Sequence, residues 1–115
     1  MATSERCQEV ARVFQLLSHP VRMQILCALR GREICVQHIQ KLLQRPQPYI
    51  SQHLRQLRDA GIVSARKEGL TVFYTLTDPR IRELLDIWIG PPEKGPDGVD
   101  CRFEHDCAKL MREKT

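Results

Sequence analysis

Val10, Val13, Phe14 and Leu17 recur three and four residues apart, which places them on one face of a helix from about Glu5 to Leu17. Ser18 ends that helix and can cap a second one that Pro20 opens. Val21, Ile25, Leu26 and Leu29 turn inward along it until Gly31 closes it. A third, short helix carries Val36, Ile39, Leu42 and Leu43. Pro46 and Pro48 frame the start of a fourth, because the N–H groups of a first helical turn lack intrahelical partners and lose nothing to proline. Ile50, Leu54 and Leu57 give its buried stripe, and Gly61 terminates it. The period then shortens to two. Val63 and Ala65 before Gly69, and Val72, Tyr74 and Leu76 after it, alternate with other residues, the pattern of a two-stranded hairpin. A last periodic element starts at Thr77, with Ile81, Leu84, Leu85 and Trp88 on one face. From Gly90 the stretch GPPEKGPDG forms a breaker-rich linker to a polar tail holding Cys101, His105 and Cys107. The expected organisation is one mostly α domain with a small β-hairpin over 1–90, followed by a linker and cysteine-containing tail over 91–115.

Composition narrows the partners. In 115 residues, 42% apolar with only 5% aromatic, the chain builds one modest aliphatic core that a second subunit would help. The net charge of +4 favours polyanions without singling out nucleic acid. No basic leader with an apolar stretch and no run long enough for a bilayer is present, so a soluble cytoplasmic protein with no membrane partner is expected. Five cysteines, an odd number spread over the chain, fit a reducing compartment. There is no phosphate loop, no nucleophile with a suitable His and Asp, and no carboxylate pair in a sensible context, which argues against an enzyme.

The fourth helix and the hairpin form the layout of a winged DNA-reading unit. With Ile50, Leu54 and Leu57 facing the core, the helical period puts Gln47, Tyr49, Ser51, Gln52 and Arg55 on the outer or N-terminal aspect. Gln and Arg can pair bidentately with adenine and guanine edges, and Ser51 can reach a base or phosphate. Arg66 and Lys67 on the hairpin would neutralise phosphates, adding affinity without sequence information. Each residue alone is compatible with an ordinary solvated face; their fixed order beside a basic hairpin favours DNA. His53 lies beside the buried stripe and reads as a packing or capping group.

Three segments in this order, LLSHPVRMQIL, ISQHLRQLRDAGIV and RKEGLTVFYTL, resemble the opening, recognition-helix and wing signatures of the ArsR/SmtB family of metal-responsive winged helix-turn-helix repressors, over roughly Val10 to Trp88. The resemblance implies a homodimer through the first and last helices, bound to double-stranded operator DNA and released by an inducer. REICVQHI is similar to the family's third-helix metal box, with Cys35 on the first ligand position, but Gln37 stands where the second cysteine would be and His38 replaces the aspartate. The family also implies that an N-terminal cysteine, here Cys7, can complete such a site. Packing of Cys35 at a helix start is an equal alternative. In DCRFEHDC, Cys101 and Cys107 with His105 between them can wrap a soft ion, or belong to a solvated extension. The family's last-helix zinc pattern is not matched in PRIRELLDIWIG. Thiolate-rich coordination suits arsenite, antimonite or another soft metal ion, and arsenite takes three sulfurs; because some arsenite-responsive family members place their thiols just after the last helix, the resemblance implies arsenite first, at Cys101 and Cys107 with the third sulfur from Cys7 or Cys35. Cys27, in ILCAL, is expected to be a buried, inert thiol. Some family members sense persulfides through a cysteine on that helix, so a thiol redox switch stands as an alternative, as does a winged interaction module that reads no DNA.

Overall fold

The computed structural model describes residues 2–91; Met1 and residues 92–115, with the linker beyond Pro91 and the tail residues Cys101, His105 and Cys107, lie outside the described residues. Helix α1 spans Thr3–Leu17, α2 Pro20–Ala28, α3 Val36–Leu43, α4 Gln47–Asp59 and α5 Pro79–Trp88. Three strands, β1 (Ile34–Cys35), β2 (Val63–Glu68) and β3 (Thr71–Leu76), form one antiparallel sheet in the order β1-β3-β2. The architecture is winged helix-turn-helix: α3 and α4 are joined by a turn in which Gln44 adopts the left-handed conformation at φ 54°, and β2–β3 is the wing. None of the described helices is long and apolar enough to cross a membrane.

The core follows the predicted stripes. Ile25 and Leu26 of α2, Ile39 of α3, and Ile50, Leu54 and Leu57 of α4 are fully buried against one another. Four boundaries and contacts differ from the sequence expectation. First, the cap of α2 is His19, extended at φ −152° and ψ 119°, and not Ser18. Second, α5 begins at Pro79, two residues later than Thr77, because the Asp78 carboxylate accepts from the Arg80 backbone N–H at 2.9 Å and fixes the start there. The Arg80 guanidinium on the same carboxylate holds Asp78 below the ordinary carboxylate range. Third, the sheet has three strands. Ile34 and Cys35 pair with Tyr74 and Phe73, so β3 is the central strand, and the adjacent Phe73 and Tyr74 are both buried where strict alternation would expose one of them. Fourth, Ala65 and Trp88 are exposed, Trp88 at 83% of its surface, so the apolar face of α5 continues past what the monomer covers.

Candidate nucleic-acid interface

The recognition helix is held from behind by a polar staple. Arg22, from the His-Pro-Val-Arg segment opening α2, donates through Nε to His53 Nδ1 at 3.0 Å and through Nη1 to the Leu16 carbonyl at 3.0 Å. Its Nη2 donates to Gln56 Oε1. One guanidinium thereby ties the end of α1 and the start of α2 to α4. His53 is buried, with its ring 4.4 Å from that of His19 and 4.7 Å edge-on from that of Tyr49, which bears out its reading as a packing group. The part played by Arg22 was not anticipated, though its place in a family signature was the signal available.

Burial, and then the nearby His19 and Arg22, push the His53 pKa below its ordinary value. The staple also requires Nδ1 unprotonated, since it accepts from Arg22. The unfolded chain therefore takes up this proton more readily than the folded one. Stability contributed by the neutral ring is complete above the unfolded value, about 6.5, and declines as pH falls from there through the folded value. Thermal melts between pH 7.5 and 5 should show Tm falling, and His53→Asn, which keeps an acceptor near the Nδ1 position without a titrating ring, should flatten the slope. An unchanged slope in the variant would assign the acid sensitivity elsewhere.

With its apolar stripe anchored, α4 turns Gln47, Gln52 and Arg55 to solvent, as the helical period required. Ser51 is half-buried. Tyr49 is also half-buried: it packs on the core, and the Arg45 guanidinium lies 5.6 Å from its ring centroid. Arg45 itself is exposed just ahead of α4, a cation beside the reading surface that lies outside the helical period of α4 and so carries no periodic signal.

The wing is braced more than expected. Arg66 pairs with Glu33 at 2.7 Å and with Glu68 at 2.6 Å, and its guanidinium stands 4.8 Å from the Phe73 ring centroid. These hydrogen bonds, Glu33's first, raise its pKa further, and its charge is already compensated. Lys67 is exposed on the neighbouring position of β2.

Of the cysteines, Cys7 is exposed on α1 and Cys35 is fully buried in the core at the joint between β1 and α3. Cys27 is only half-buried, not sealed in as expected, and burial raises its thiol pKa, with Arg30 opposing. Among the described residues no three His, Cys, Asp or Glu side chains gather as a metal site. Away from α4, the exposed Val10 and Phe14 of α1 border a cleft of about 140 Å³ that Ile81 and Leu84 of α5 also line.

A sequence profile described as "Bacterial regulatory protein, arsR family" matches residues 19–65, from the cap of α2 into the wing. MJ1325, an HTH-type transcriptional regulator of Methanocaldococcus jannaschii, is 40% identical over 84 residues, 72% of this chain and 94% of that protein. The crystal structure of the transcriptional repressor BigR from Xylella fastidiosa is similar at TM-score 0.69 and 36% identity, over 73% of this chain and 86% of that one. The structure of AntR, an antimony-specific transcriptional repressor, is similar at TM-score 0.71 and 27% identity, over 76% of this chain and 79% of that one. With a polar-faced α4 braced beside a hairpin, and relatives of this kind over most of their length, the chain belongs to the ArsR/SmtB family of DNA-binding winged helix-turn-helix transcriptional regulators and is not an enzyme.

Proposed function

We propose that the chain is a homodimeric repressor, joined through α1 and α5, that reads a palindromic operator with α4 and is released by a thiophilic metal(loid), arsenite or antimonite first, bound at cysteine thiolates. The observation carrying the DNA part is the outward polar face of α4, with Gln47, Gln52 and Arg55 exposed on a helix fixed from behind by Arg22. Tyr49 and Ser51 sit at the margin of that face, placed for a sugar or phosphate. Lys67 supplies the wing's phosphate contact, whereas Arg66 serves phosphate only by exchanging one of its carboxylates. Dimerisation rests on apolar groups that the monomer leaves uncovered, Val10 and Phe14 on α1 and Ile87, Trp88 and Ile89 at the end of α5. Two α4 helices related by a two-fold axis then meet half-sites about one turn, roughly 34 Å, apart.

For the inducer, the likeness to an antimony-specific repressor supports thiolate coordination of a trivalent metalloid, with Cys101 and Cys107 as two ligands. Cys7, open to solvent on α1, is better placed to be the third than Cys35, whose thiol is enclosed by the core. The raised pKa of Cys27 disfavours the thiolate that a redox switch on α2 needs.

The test uses the full chain, a palindromic duplex selected from a randomised pool, and arsenite, antimonite, cadmium and a persulfide donor as releasing agents. Light scattering should give twice the chain mass. Gln52→Ala and Arg55→Ala should each lose on the order of 1 to 3 kcal/mol on the selected duplex and relax base preference, while Lys67→Ala weakens all sequences alike. A ligand shifts an equilibrium only by its differential affinity for the two states, so Cys101→Ser and Cys107→Ser should bind DNA normally and resist release. Release by the persulfide donor alone, lost in Cys27→Ser and kept in the tail variants, would replace the metalloid with a redox signal.

A further inference from the structure

The contacts that bury α4 differ in kind from those that aim it. Ile50, Leu54 and Leu57 hold the helix by an apolar stripe, and apolar contact is non-directional, so it sets the depth of the helix more than its rotation. Direction comes from Arg22. Half-buried at the start of α2, its guanidinium presents a planar fork of donors to three acceptors at once: the Leu16 carbonyl in the last turn of α1, His53 Nδ1 and Gln56 Oε1.

The two acceptors on α4 are interleaved with the residues that face outward. His53 directly follows Gln52, and Gln56 directly follows Arg55, so the helix cannot turn one set without the other. A roll of about 10° moves a group about 6 Å from the helix axis by roughly 1 Å. That displacement exceeds the width of roughly 0.5 Å over which a hydrogen bond to a base edge is well made. Whatever loosens the grip of Arg22 therefore spoils the aim of Gln52 and Arg55, even while the apolar stripe stays buried.

A proton on His53 would loosen it. The groups facing that ring are Arg22 and His19 from α2 and its cap and Tyr49 from α4, with Arg45 beyond Tyr49; α1 contributes the neutral Leu16 carbonyl that shares the guanidinium. The charges acting on His53 come from His19 and Arg22, and no carboxylate among the described residues opposes them. His19 Nδ1 is itself enclosed with no hydrogen-bond partner among the described residues, so it offers the neighbouring ring no relief. Protonated at Nδ1, His53 would turn a donor toward the Arg22 Nε donor 3.0 Å away, and the contact would become repulsive.

We propose that Arg22 is the positioning residue of the reading helix, and that its grip, which exists only while His53 Nδ1 is unprotonated, makes operator binding proton-linked. The inference rests on α4 being the helix that reads DNA. The duplex selects the form in which α4 is held in register, and that form binds the His53 proton more weakly than the loosened one. Affinity is thus complete above the ordinary histidine value, about 6.5, and falls as pH drops from there through the lowered value of the folded ring. The sign is opposite to that of charge alone, since protonated histidines add cations and would tighten the hold on phosphates.

The test measures affinity of the full chain for the selected palindromic duplex at pH 7.5 and 5.5, at one ionic strength and at a temperature where far-UV circular dichroism shows the fold intact at both. Wild type should bind about tenfold more weakly at the lower pH, roughly threefold for each protomer of the dimer. His53→Asn, which keeps an acceptor and cannot titrate, should give the same affinity at both. Arg22→Met should bind weakly at both and also lose the pH dependence. Wild-type affinity that holds or rises on acidification overturns the proposal, as does a His53→Asn variant that keeps the tenfold ratio. An Arg22→Met variant that melts earlier but retains the wild-type ratio would show a merely structural arginine; if that variant does not fold, the His53→Asn ratio decides. Failure of the underlying reading shows differently: Gln52→Ala and Arg55→Ala would then bind the duplex at pH 7.5 as tightly as wild type, whatever the pH ratio.

Discussion

Truncating Phe73 to Ala should lower folding stability by about 3 to 5 kcal/mol, the usual loss for a phenylalanine removed from a closed core. Phe73 is the largest of the fully buried side chains, 1% exposed, and lies on the central strand opposite Cys35 on one side and Arg66 on the other. The ring belongs to the closed core cluster, so its removal leaves a cavity among fully buried neighbours. Removing it also takes away the platform under the Arg66 guanidinium, so the wing should loosen together with the core. A domain of this size has about 5 to 15 kcal/mol in total, so the variant should melt roughly 15 °C lower or fail to fold. Phe73→Leu, which retains most of the volume, should lose less than half as much. Urea melts of the two variants at equal protein concentration check this; equal losses would mean that the ring's shape, and not its volume, is what the core needs.

Phe73 also marks where the sequence stopped being legible. The helices were readable because each repeats an apolar stripe over two or more turns: Ile50, Leu54 and Leu57 point one way through α4, and all three are fully buried. The adjacent Phe73 and Tyr74 are both buried in the middle of β3, so that part of the strand has no alternation to betray it. Taking Val72, Tyr74 and Leu76 as the inward set leaves Phe73 out, because β1, the strand that pairs with β3 at Phe73 and Tyr74, is only two residues long and carries no periodic signal of its own. The outward residues of α4 were legible by subtraction once its buried stripe was known. What could not be read were contacts between residues far apart in sequence: Arg22 with His53, thirty-one positions on, and Arg66 with Glu33, thirty-three positions back. Composition counted Arg66 as a free cation, and only the fold shows that it is spoken for.

The same blindness applies to Arg30, which carries the other large expected effect. Its side chain is 6% exposed, and its Nη1 donates to the Asp86 carboxylate at 2.9 Å and to the Gly90 carbonyl at 2.6 Å, clasping the end of α5 to the end of α2. Removing one member of an enclosed pair is worse than removing both, because the survivor is left charged and poorly solvated. Asp86 is 38% exposed and can rehydrate, whereas Arg30 cannot. The two deletions should therefore be unequal. Asp86→Ala strands the guanidinium with carbonyls alone and should cost about 2 to 3 kcal/mol, below the 3 to 5 typical of fully enclosed pairs because of that partial exposure. Arg30→Met keeps the apolar stem, removes the charge, and should cost about 1 to 2 kcal/mol. The double variant should then be more stable than Asp86→Ala alone, since the second change removes the stranded charge created by the first. A double variant whose loss equals the sum of the two single losses would show that the clasp is not a coupled unit and that Arg30 is held by the Gly90 carbonyl and its own packing. Because α5 is also a proposed dimer helix, all four proteins must be unfolded at one protomer concentration, so that association contributes equally to each.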